Sequence, residues 1–123
     1  MTELYETATR TTVGLTSEGR DALDRIMTAG WFTHNYDAFK FAVAFSLAAG
    51  IAPTDDTASF STIWNRGTLD PDERLAKLVN LLSPAPDIWD QIRRLGDAGL
   101  REIVKRNIHI GFPSEALDAI SEQ

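Results

Sequence analysis

The sequence predicts a mainly helical protein with one strand per chain, folding as a homodimer, and three observations predict it. From Tyr36 to Gly50 only Asp37, Lys40 and Ser46 are clearly polar, and a helix apolar on nearly every side must be surrounded by protein. Ahead of it, the Thr-rich run Ala8 to Leu15 alternates Val13 and Leu15 with Thr12 and Gly14, the period of a strand. No second run of comparable quality follows, and a lone strand leaves its ladder unpaired. Helix start and stop signals punctuate the remainder. One amphipathic partner and one strand cannot enclose the apolar helix, so a second copy is expected to cover it.

Taken in order, residues 1–7 read as a flexible arm and residues 8–50 as the dimerisation region. Thr16-Ser17-Glu18 is a helix start, a hydroxyl cap followed by an acid in the first turn. Leu23, Ile26 and Met27 then recur at helical spacing until Gly30. Trp31 and Phe32 fill the turn, Thr33 or Asn35 can cap the next helix, and Asp37, Lys40 and Ala44 form its one narrow stripe that water could reach. Residues 51–69 read as a connector in which Phe60, Ile63 and Trp64 have helical spacing and Asn65-Arg66-Gly67 marks a turn.

Residues 70–123 read as a C-terminal helical extension. Asp70-Pro71-Asp72-Glu73 has an Asp cap, Pro at the first helical position and an acid three residues past the cap. Leu75, Leu78, Val79 and Leu82 would form the inner face of that helix. After Ser83-Pro84-Ala85-Pro86, Ile88, Trp89, Ile92 and Leu95 mark a helix ending at Gly96, and Asp97 caps another with Leu100, Ile103 and Val104 inward. Ile108 to Phe112 reads as extended, and Ser114 as the cap of a last turn through Leu117 and Ile120.

A chain of 123 residues can bury roughly two thirds of its unfolded surface without a staple. The absence of cysteine excludes disulfides, thiolate metal sites and a thiol nucleophile. The acidic start, Met1-Thr2-Glu3-Leu4-Tyr5-Glu6, lacks the basic and apolar regions of a leader. No apolar run approaches the ~20 residues that cross a bilayer. A soluble, cytoplasmic protein without membrane contact is expected.

Catalysis finds little support. His34 and His109 are the only histidines, and neither has a second ligand at metal spacing. Asp55-Asp56 lies in a loop, and the acids around Pro71 begin a helix without the oxygen ligands and Gly of a calcium loop. No phosphate-binding Gly loop or nucleophile elbow occurs. We expect no enzymatic activity, no metal and no cofactor. The net charge of −6 argues against broad nucleic-acid binding. It is uneven: residues 91–106 hold five basic and two acidic side chains, in an otherwise acidic chain. Asp90, Asp97 and Glu102 precede those bases at the spacing of intrahelical ion pairs, so a solvated face is the simpler expectation.

The succession of strand, Leu15-Thr16-Ser17-Glu18, Leu23-Asp24, Gly30-Trp31-Phe32-Thr33 and Asp37-Ala38-Phe39-Lys40 resembles the ribbon-helix-helix DNA-binding family. That resemblance implies an obligate dimer whose two strands, one per chain, pair antiparallel and enter the major groove. It implies that Arg10, Thr12 and Gly14 face outward toward bases, and that Thr33, His34 and Asn35, at the start of the second helix, hold a phosphate. It assigns Val13, Leu15, Phe39, Val43 and Leu47 to the dimer core. The chain departs from the family in several respects. Arg10 is the ribbon's only charge, Gly14 offers no side chain at an outward position, and Tyr36 stands where a small hydroxyl residue is common. Asp37 faces the helix entrance that would receive the phosphate, and Glu3 and Glu6 would sit close to the DNA backbone.

The function expected is that of a homodimeric DNA-binding transcriptional regulator or DNA-associated accessory protein, with room for higher assembly. The alternative is a non-enzymatic interaction module that keeps the dimer without binding double-stranded DNA. In either case the C-terminal helices offer a surface to a protein partner.

Overall fold

The computed structural model of the protein describes residues 11–106. Seven elements follow one another: β1 (Thr12–Leu15), α1 (Ser17–Thr28), α2 (Asn35–Ala49), β2 (Ser61–Asn65), α3 (Arg66–Leu69), α4 (Arg74–Leu82) and α5 (Ile88–Lys105). The architecture is mainly helical with one small antiparallel sheet. Among the described residues no helix is long and apolar enough to cross a membrane.

β1 does not stand alone. It pairs antiparallel with β2 of the same chain, Thr12 opposite Asn65, Val13 opposite Trp64, Gly14 opposite Thr62 and Leu15 opposite Ser61, with an irregularity between Val13 and Gly14. The single strand per chain expected from the sequence is therefore corrected to two. Phe60, Ile63 and Trp64 had suggested a helix because the irregularity puts an extra residue into β2 and breaks its alternation. The β-branched and aromatic content of Thr62-Ile63-Trp64 carried the true signal.

The apolar α2 is enclosed on one side by α5, which packs most extensively against it and also touches α1, α4 and β1. Two glycines make that approach possible. A Cβ on Gly96 would collide with the Phe39 ring, and one on Gly99 with the backbone oxygen of Ala42. Ser46 closes the seam by donating its hydroxyl to the carbonyl of Leu95 at 2.7 Å. Gly96 therefore does not end a helix, as its type suggested; the 18 residues of α5 run through it. Val13, Leu15, Phe39 and Val43 are fully buried within one chain, and Leu47 is partly buried against the same core. Their burial requires no second copy.

A second tie runs through Asp97, which is 0% exposed. Its Oδ1 accepts from the Thr16 backbone N–H at 2.9 Å and from the Thr16 hydroxyl at 2.8 Å. Its Oδ2 accepts from the Thr54 hydroxyl at 2.7 Å, and Arg101 lies 3.7 Å away. The Thr16 hydroxyl accepts in turn from Gly19 N–H at 3.0 Å, capping α1 as expected. One buried carboxylate thus joins the strand-to-helix corner, the 50–60 loop and α5. Asp97 does not cap a helix of its own.

The Asp70 cap is also displaced. Its two oxygens accept from Leu75 N–H and Ala76 N–H, both at 3.0 Å, so the helix it caps starts at Arg74. Within that helix the buried stripe is Leu75, Ala76 and Val79, whereas Leu78, Leu81 and Leu82 are 38%, 77% and 58% exposed. Leu78 and Leu82 are thus corrected from inward to outward. Gly50, at φ 68°, ends α2 in the left-handed conformation that glycine accommodates. The readings for residues 1–10 and for Ile108 to Ile120 lie outside the described residues.

Candidate nucleic-acid interface

The ribbon formed by β1 and β2 has one buried and one open face. Val13, Leu15 and Trp64 turn inward; Trp64 packs on Phe39 with ring centroids 4.9 Å apart. Thr12 is half-buried, while Ser61, Thr62 and Asn65 are exposed. Thr62 donates a long hydroxyl contact to Thr12, 3.4 Å across the ribbon. Neither strand contains a charged side chain. Gly14 contributes nothing to the open face: it is buried, and a Cβ there would collide with the Ser61 carbonyl oxygen. Its place in the fold is to let β2 lie close, which corrects its expected outward role.

The start of α2 is fastened to the ribbon. The Trp64 indole Nε1–H donates to Asn35 Oδ1 at 3.0 Å, so the first turn of α2 sits beside the strand. The cap position falls on His34, whose side chain makes no capping bond, and neither Thr33 nor Asn35 fills that role. Thr33, His34 and Asn35 are all exposed. His34 stacks on Tyr36 with centroids 4.8 Å apart and planes 6° from parallel. Lys40 places its ammonium 5.5 Å from the Tyr36 ring centre. The two predicted contact regions, the ribbon and the entrance to α2, are therefore brought together by Trp64. Arg10 lies outside the described residues.

The basic segment of α5 is mostly engaged with itself. Arg93 pairs with Asp90 at 2.8 Å, Arg94 with Asp90 at 3.6 Å, and Arg106 with Glu102 at 3.2 Å. Arg93 also lies over the Phe60 ring, and Arg94 donates to the Thr54 carbonyl. Arg101 and Lys105 line an open cleft of about 560 Å³ with Gly50, Thr54 and Glu102. Arg101 already faces the Asp97 carboxylate, so this cleft offers little net positive charge to a phosphate. Among the described residues no group of acids and histidines is arranged to hold a metal ion.

Sequence reasoning missed Thr62 and Asn65. The Gly two residues after Asn65 signals a turn there, although Asn65 also stands at the end of a β-forming run. The chain matches no known family model, no curated protein and no solved structure.

Proposed function

We propose that the protein binds double-stranded DNA as a homodimer, as a transcriptional regulator or DNA-associated accessory protein, with its ribbon in the major groove. One observation carries this: a two-stranded ribbon with a short-chained, uncharged polar face stands beside the uncapped start of a helix. A two-stranded ribbon has the width of a major groove, and free amides at a helix start favour a phosphate. Thr12, Thr33, His34 and Asn35 are the contact residues on this reading, with Arg10 ahead of them.

The dimer acts differently from the one first expected. Each chain carries its own ribbon, so a pair presents two ribbons, and self-association sets the spacing of two half-sites rather than building one ribbon. The outward side of α2, where Phe41, Ala44 and Ala48 are exposed, is the apolar surface available for that pairing.

The test combines light scattering with titration of labelled duplex at low and moderate salt. We expect a dimer mass, affinity that falls steeply with salt, and loss of binding in Arg10→Ala. Absence of binding at low salt would overturn the proposal. It would favour instead a protein-interaction module, a reading for which the exposed Leu78, Leu81 and Leu82 of α4 and the net charge of −6 speak.

A further inference from the structure

We infer that Asn65 is the side chain through which the ribbon distinguishes base pairs, and that it reads adenine; this rests on the DNA-binding function proposed above. Asn65 sits opposite Thr12 in the register and is exposed. It also occupies the cap position of α3, where an Asn ordinarily turns its side chain back to the helix. Here it makes no capping bond. Within the described residues its carboxamide makes no hydrogen bond, so its amide N–H groups and its carbonyl oxygen stand side by side on the open face.

That pair of groups matches one base edge in the major groove. Adenine presents N6–H as donor beside N7 as acceptor, so Asn65 Oδ1 accepts from N6–H while its Nδ2–H donates to N7. Guanine presents two acceptors at the same places, and one of the two bonds is then lost. The neighbours suit a close approach. Thr12 and Thr62 are short, the ribbon bears no charge, and a Thr methyl can rest against the thymine methyl of the partner base. The ribbon thus favours A·T pairs at the position facing Asn65.

The experiment uses the full-length protein and a library of randomised duplexes, with the bound fraction sequenced for the wild type and for Asn65→Ala. Binding to one fixed mixed-sequence duplex at low salt is measured in parallel. We expect the wild type to enrich a motif containing adenine, and Asn65→Ala to lose that preference by roughly tenfold at one position. Helical circular dichroism should be unchanged, and binding of Asn65→Ala to the fixed duplex should be weakened but retained with the wild-type salt dependence, because phosphate contacts position the protein whereas base contacts specify. If Asn65→Ala enriches the same motif as the wild type, or the wild type enriches none, the assignment fails while DNA binding stands. If neither protein binds the fixed duplex, both fail together.

Discussion

The junction at Asp97 and the open face of the ribbon are built from similar material, threonines and one short polar side chain, yet they end in opposite states. At the junction the hydroxyls of Thr16 and Thr54 and one backbone N–H converge on a carboxylate that water never reaches. On the ribbon, among the described residues, the Thr62 hydroxyl reaches only that of Thr12, and the Asn65 carboxamide makes no hydrogen bond. A buried polar group left unpaired costs about 1–3 kcal/mol, so the interior has to be satisfied. The exterior is under no such demand. The difference separates side chains that hold the fold from those free to meet something else.

The largest expected effect comes from breaking the close packing of α2 against α5. Gly99→Ala puts a methyl against the Ala42 carbonyl, which is backbone and cannot swing aside. The helices must separate, and we expect a loss of about 3 kcal/mol or more, read as the change in denaturant midpoint. Gly67→Ala is the control, because nothing lies within 4 Å of the added carbon. Equal losses in the two variants would refute the close-packing role of Gly99.

Asp97→Ala should come next, at about 2–4 kcal/mol, because it strands three donors in a dry site. Arg101→Ala should cost about 1 kcal/mol or less, since its guanidinium is partly solvated and 3.7 Å from the carboxylate. On the ribbon, Thr12→Val and Asn65→Ala should stay within about 0.5 kcal/mol of wild type. Thermal unfolding of the four variants checks the ordering. An Asp97→Ala protein as stable as the ribbon variants would erase the contrast between the two regions.

The same contrast explains what could be seen in the sequence. Periodicity disclosed α1, α2 and the inner faces of α5, because burial imposes a regular spacing on Leu23, Phe39, Ile92 and Leu100. The i,i+3 and i,i+4 pairs of α5 were legible for a similar reason: they are local. What stayed hidden depends on approach between distant segments. Gly96 reads as punctuation, since nothing local distinguishes a glycine that ends a helix from one that admits a neighbouring helix, and Gly99 carries no signal of its own. Asp97 looked like a cap because its partners lie 81 and 43 residues away. The enclosure of α2 within one chain is hidden from the sequence because Gly96 and Asp97 divide α5 into two apparent short helices, and only the continuous α5 covers α2. In the candidate site, Thr12, Thr33, His34 and Asn35 are named only by the family resemblance, whereas Asn65 emerges only from the pairing of β2 with β1.

The smallest expected effect sharpens the comparison at a third place, the loop that delivers Thr54 to the junction. Just beyond Thr54, the Asp55 Oδ1 accepts from the Thr57 backbone N–H and from its hydroxyl, each at 2.8 Å. The backbone bond first, and then the hydroxyl bond, hold the Asp55 carboxyl below its ordinary range. A carboxyl depressed in the folded state adds stability above its unfolded pKa, and that contribution is lost as pH falls through the lower folded value. Asp55→Asn keeps an acceptor in place but removes the charge. The variant should therefore be slightly less stable than wild type at neutral pH and converge with it as pH drops below about 4. Because Asp55 is fully exposed, water competes for these bonds and the gap should be far smaller than that of Asp97→Ala. Unfolding midpoints of both proteins across that range are the measurement, and a gap that does not change with pH would show that the turn draws nothing from the charge.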